Sequence, residues 1–152
     1  MEGTHAPALS PYHRSPEAWH WHSHLELGAL LTAPSSARGH AGNVLREWQL
    51  KEFVDVTEMV VSELVTNSVL ATRHVDWPGR QPPVRLWLHT DSARVLVHVW
   101  DAVPAAPRPR DAGPDDESGR GLTIVGACAE AWACYHVPGN SGKVTWALIT
   151  TP

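Results

Sequence analysis

Two polar side chains stand one helical turn apart inside an otherwise apolar stretch, Phe53 to Thr72 (FVDVTEMVVSELVTNSVLAT). On a helix wheel of about 100° per residue, Phe53, Val56, Val60 and Leu64 form one apolar sector, and Val54, Val61 and Val65 a second on roughly the opposite side. Glu63 and Asn67 are four residues apart, hence neighbours on one face, and they project into the first sector between Val56, Val60 and Leu70. Burying such groups unpaired costs about 1 to 3 kcal/mol each, more for the charge. Either the protein or a ligand satisfies them, or that face borders water. An Asn amide oxygen suits Mg²⁺, which takes few protein ligands alongside waters and phosphate oxygens. A Glu one turn away can orient a water or accept a hydroxyl proton. Asp101, at a strand end, can accept a hydrogen bond from an exocyclic amine such as that of adenine, or simply open a turn. Gly119-Arg120-Gly121 opens a helix, where unpaired N–H groups favour an anion and glycine admits a close approach; the plain alternative is a loop-to-helix joint.

These residues need elements to hold them. The first 18 residues, with Pro7, Pro11 and Pro16, have no period and are expected to form a flexible arm. Alternation within Trp19 to Leu31 predicts a half-buried strand. Ala37, Ala41, Val44, Leu45 and Trp48 predict an amphipathic helix over 34–48. The central helix follows. Breaks at Trp77-Pro78-Gly79 and Pro82-Pro83 lead into a hairpin, with Val84, Leu86 and Leu88 on one strand, Val95, Val97 and Val99 on the other, and Thr90-Asp91-Ser92 as its turn. The proline-rich, charged stretch 102–118 reads as a lid or a disordered loop. A third helix over 122–129 and a second hairpin, 132–137 with 143–149, complete the chain. The order predicts residues 19–152 as one α/β two-layer sandwich: a mixed, mostly antiparallel sheet of about five strands with three helices on one face.

At 152 residues the chain fits one domain. No apolar run approaches the roughly 20 residues of a membrane span, and no export signal opens the chain, so the cytoplasm is the expected compartment and no membrane the expected partner. Cys128 and Cys134 are expected to be reduced thiols. A net charge of −4 without a clustered basic face argues against direct nucleic-acid binding. His20, His22 and His24 alternate and would share a strand face, but no Cys or carboxylate set completes a metal site with them.

Taken in order, these motifs resemble the GHKL family (histidine kinase-like, or Bergerat) of ATP-binding domains. They look most like the small anti-sigma factor type of serine-protein kinase abundant in actinobacteria. SELVTNSVLAT (Ser62 to Thr72) is similar to the N box, placing its Glu and Asn at Glu63 and Asn67. VWDAVPAAPRPR (Val99 to Arg110) resembles the variant first glycine box, with the adenine-binding Asp at Asp101. SGRGLTIV (Ser118 to Val125) resembles the G-x-G-L box against the phosphates, bringing Gly119, Arg120, Gly121 and Leu122. GKVTWALI (Gly142 to Ile149) resembles the final box, with Thr145 as its threonine. Leu70 and Ala71 depart from the polar pair usual in the N box, and Ala102-Val103-Pro104 leaves the first glycine box without glycine.

The resemblance implies a regulator using ATP and Mg²⁺ that binds a sigma factor or similar regulator and phosphorylates Ser on an anti-anti-sigma (STAS-type) partner. It implies a homodimer, Asn67 as metal ligand and Glu63 as catalytic base. The other reading is a non-catalytic interaction module, nucleotide-sensing or nucleotide-free, which the Leu70, Ala71 and Ala102 departures favour.

Overall fold

The structure, a computed structural model, describes residues 10–79, 81–104, 117–139 and 141–151, with the backbone alone for 117–121. Its middle is the helix α3, Val54–Ala71, flanked by 3₁₀ turns at Lys51–Phe53 and Thr72–His74. Both apolar sectors are used: Val60, Val61, Leu64 and Val65 are all buried. One side meets α2 (Ala33–Glu47) and the other meets α4 (Glu117–Cys128), with the sheet beneath. On α2 the buried positions Ala33, Ala37, Ala41 and Leu45 recur every four residues. That spacing lays a stripe of mainly small side chains along one face and lets the two helices approach closely. α4 packs Leu122, Val125 and Cys128 against the same core.

The sheet has five strands in the order β1-β2-β3-β5-β4: β1 Trp21–Gly28, β2 Pro83–Thr90, β3 Arg94–Asp101, β4 Ala131–His136 and β5 Lys143–Thr150. Every ladder among the described residues is antiparallel, so the mostly antiparallel sheet that was expected has no parallel pair. The physical reason is that β4 and β5 close as a hairpin whose second strand pairs with β3, so that β4, which α4 returns in the same direction as β3, is separated from it by β5 and every pair of neighbours runs antiparallel. Asp91 builds the β2–β3 turn by accepting the Ala93 and Arg94 N–H groups at 3.0 and 2.7 Å. Strand alternation sends Val84, Leu86, Leu88, Val95, Val97, Val99, Ala147 and Ile149 to the helical layer.

The opposite face is covered too. A second cluster centres on Trp19, Leu96, Trp146 and Leu148, with Tyr12, Ala131, Ala133 and Tyr135 against it. The arm expected to be loose therefore has structure from Ser10 onward: α1, Pro11–Arg14, and a 3₁₀ turn, Pro16–Ala18. Prolines that erase a helical period also start these short turns, and Trp19 anchors them at 2% exposure. Residues 1–9 lie outside the described residues, as do 105–116 of the expected lid. The third helix starts at Glu117 rather than Leu122, so Gly119 falls in its first turn. An acidic residue there is favoured by the helix dipole, and the glycines weaken the helix without ending it. No helix among the described residues is long and apolar enough to cross a membrane.

Candidate functional site

α3 delivers Leu64, Asn67 and Ala71, at i, i+3 and i+7, to one wall of a cavity of about 230 Å³. Leu122 of α4 forms the opposite wall, and Trp132, Lys143 and Thr145 of β4 and β5 form the floor. The volume exceeds the roughly 150 Å³ apolar cavity that takes up benzene and falls short of the roughly 300 to 1,000 Å³ of a drug-sized site. It fits one planar base, with the rest of a larger ligand lying outward. Asn67 Nδ2 is buried with no hydrogen-bond partner among the described residues. A buried amide donor left unpaired costs about 1 to 3 kcal/mol, and a polar ligand in this cavity relieves that cost. The oxygen of the same amide is the hard, neutral donor that Mg²⁺ accepts beside phosphate oxygens, so the donor set fits the metal.

Asp101 is fully buried at the end of β3. Ser68, the residue after Asn67, donates its hydroxyl to Asp101 Oδ2 at 2.6 Å, and the Val103 N–H donates to Oδ1 at 3.1 Å. The Lys143 ammonium also reaches Oδ2, forming an ion pair. The β3–β5 register places Lys143 directly opposite Asp101. Gly142 makes the approach feasible, with φ at +94° and its Cα so close to β3 that a Cβ there would lie 2.2 Å from the Asp101 carbonyl oxygen. Only glycine satisfies both demands at low cost. Trp100 Nε1–H clamps the same loop by donating to the Ser141 carbonyl at 2.9 Å.

Of the residues expected at a site, the structure gathers Asn67, Leu122 and Thr145 around the cavity, with Asp101 behind Lys143. Gly119, Arg120 and Gly121 belong to the start of α4, where the first four backbone N–H groups have no intrahelical partner. That of Gly119 is among the four, whereas Arg120 and Gly121 already fall in the helical ladder. Glu63 is half-buried one turn before Asn67 and does not line the cavity. Ser68 and Lys143 were missed. Ser68 carries the weak signal of lying beside Asn67, and Lys143 carries none until the strand pairing is known.

A second cavity, of about 250 Å³, lies on the opposite face of the sheet among Tyr12, His13, His89, His98 and Tyr135. Burial and the neighbouring His22 and His13 push the His89 pKa down to about 4, and burial with His89 and His13 pushes that of His98 down to about 3. His98 meets the Ser10 hydroxyl at 2.6 Å, and Tyr12 stacks on His89 at 4.5 Å. His22 and His89 approach to 2.8 Å. No group of three His, Cys, Asp or Glu among the described residues is arranged to hold a metal ion.

Residues 28–148 match the model of the histidine kinase-like ATPase domain. The chain belongs to this family. The match runs from the end of β1 into β5 and takes in every residue of the α3–β5 cavity. The family is one of ATP-binding domains, and the fold expected from the motifs, five strands backed by helices, is the one observed. No curated protein matches the chain. Within this histidine kinase-like ATPase domain, the cavity beside Asn67 takes lining residues from the stretches that resemble the N box, the G-x-G-L box and the final box.

Proposed function

We propose that this histidine kinase-like ATPase domain is a cytoplasmic regulator of anti-sigma factor type, which binds a sigma factor or similar regulator and transfers phosphate from ATP to Ser of a STAS-type partner. The observation that carries the reading is Asn67 Nδ2, without a hydrogen-bond partner among the described residues, on the wall of a base-sized cavity. In this reading Thr145 holds the base end, with Asp101 behind Lys143, and Asn67 turns its amide oxygen to Mg²⁺. The start of α4, up to Gly119, offers N–H groups to the phosphates, while Arg120, Gly121 and Leu122 continue the helix behind them. Magnesium, when bound, neutralises phosphate charge. Glu63, outside the cavity wall, takes the proton of the incoming Ser hydroxyl. A homodimer accords with this type of regulator.

A specific observation favours a second reading, that of a non-catalytic binding module: the Asp101 carboxylate is already engaged by Lys143. Calorimetric titration of ATP and ADP, with and without Mg²⁺, into the wild-type protein and Asn67→Ala separates the two. Magnesium-dependent binding weakened about tenfold or more by the substitution supports the first, the size expected for losing one polar contact to a charged ligand. Absence of heat at millimolar nucleotide sinks it. Glu63→Ala should then abolish transfer while sparing partner binding; transfer that survives intact removes Glu63 as the base.

A further inference from the structure

Lys143, whose ammonium caps Asp101, lines the cavity with its side chain 18% exposed, whereas the Asp101 side chain is 0% exposed and does not line it. A carboxylate has about four lone-pair sites. Ser68, Val103 and Lys143 already supply three donors to this one. An ammonium has three donors and no acceptor; Asp101 takes one of them, so the inner end of the cavity offers hydrogen-bond donors. Thr145, the other polar group of the floor, both donates and accepts and suits either kind of base.

We propose that Lys143 is the residue that sets base selectivity here, relaxing the site from strict preference for a 6-amino purine toward acceptance of a 6-oxo purine. This rests on the nucleotide reading above. A 6-amino purine brings N–H groups against an ammonium, and it reaches Asp101 only by displacing Lys143 from a buried partner. A 6-oxo purine brings an acceptor oxygen, which the ammonium meets with a charge-assisted hydrogen bond while keeping its contact with Asp101. Sites discriminate best through buried polar groups that the wrong ligand leaves unpaired, and Lys143 makes the amino purine the poorer match.

The test is titration of ATP and GTP, each with Mg²⁺, into the wild-type protein and into Lys143→Met, which keeps the chain length and removes the charge. Wild type is expected to bind the two nucleotides within about tenfold of each other, and Lys143→Met is expected to move the ratio at least tenfold toward ATP, the size of one charge-assisted contact. The wild-type ratio needs no variant: a preference for ATP beyond about 100-fold overturns the inference and leaves the nucleotide reading standing. So does an unchanged ratio in Lys143→Met, or in the smaller Lys143→Thr where thermal melting shows the Met protein unfolded. Wild type that binds neither nucleotide while Lys143→Met binds ATP overturns the inference, since the 6-oxo purine is then not accepted, and leaves the nucleotide reading standing. Silence from both nucleotides in all the folded proteins overturns the inference and the nucleotide reading together.

Discussion

Acid should loosen this protein from the face opposite the nucleotide cavity. His89 and His98 hold the segment from Ser10 to Trp19 on the sheet, through the Ser10 hydroxyl and the Tyr12 ring. His13 of α1 and Tyr135 of β4 face them across the second cavity, and His22 of β1 meets His89 directly at 2.8 Å. Folded pKa values of about 4 and about 3 lie below the ordinary histidine value of 6.5. The unfolded chain therefore binds more protons than the folded one once the pH drops below 6.5. Stability from this source is fully present above pH 6.5 and is lost as the pH falls toward 4 for His89 and 3 for His98. Between pH 7.5 and 5 each fully shifted histidine loses about 2 kcal/mol, and screening at the more open His89 trims its share, for a total of about 2 to 4 kcal/mol. Burial also lowers the pKa of His40, which adds in the same direction. For a domain of this size the change corresponds to a melting temperature lower by roughly 5 to 15 °C. Urea denaturation at pH 7.5, 6.5, 5.5 and 5.0 measures it directly, with His89→Gln/His98→Gln as the reference expected to flatten most of the slope. Stability that stays level or rises from pH 7.5 to 5 would refute the argument. An unchanged slope in the double variant would move the titrating groups elsewhere.

Two further substitutions probe the floor of the nucleotide cavity. Gly142→Ala places a Cβ against the Asp101 carbonyl at a positive φ, and should cost about 2 kcal/mol or more in chemical denaturation; a change under about 0.5 kcal/mol, the level of a neutral surface substitution, would show that the loop yields freely. Ser68→Ala removes one donor from the buried Asp101 carboxylate and should cost about 1.5 to 3 kcal/mol, the usual worth of a hydrogen bond to a charged group. Unaltered stability would mean that Lys143 and the Val103 N–H hold Asp101 unaided.

Local patterns carried the elements well and long-range pairings poorly. The two-sided apolar wheel of α3 was legible because both of its neighbours bury side chains every three to four residues, and the β2–β3 hairpin because Asp91 sits where a turn needs an acceptor. Asp101 stood out as a strand-terminal carboxylate. Its partner did not, because Lys143 lies 42 residues away and meets it only through the β3–β5 ladder. The antiparallel sense of that ladder was equally hidden, since hydrophobic alternation reads the same in either direction. The arm from Ser10 to Trp19 failed for the opposite reason: its own period is erased by prolines, and what fixes it is a set of aromatic and histidine contacts from strands far along the chain. Glu63 was read from its helix face alone, and that face leaves it outside the cavity wall.

The contact between Asp101 and Lys143 also acts as a key to strand alignment. A slip of one residue between β3 and β5 would turn Lys143 toward the tryptophan-rich outer face and bring Trp146 inward. It would leave the Asp101 carboxylate buried without its cation, and the mispaired chain would have no cavity floor. A molecule that has formed this ion pair has thereby aligned its last strand, so the chemistry of the site and the correctness of the fold are read out by one bond.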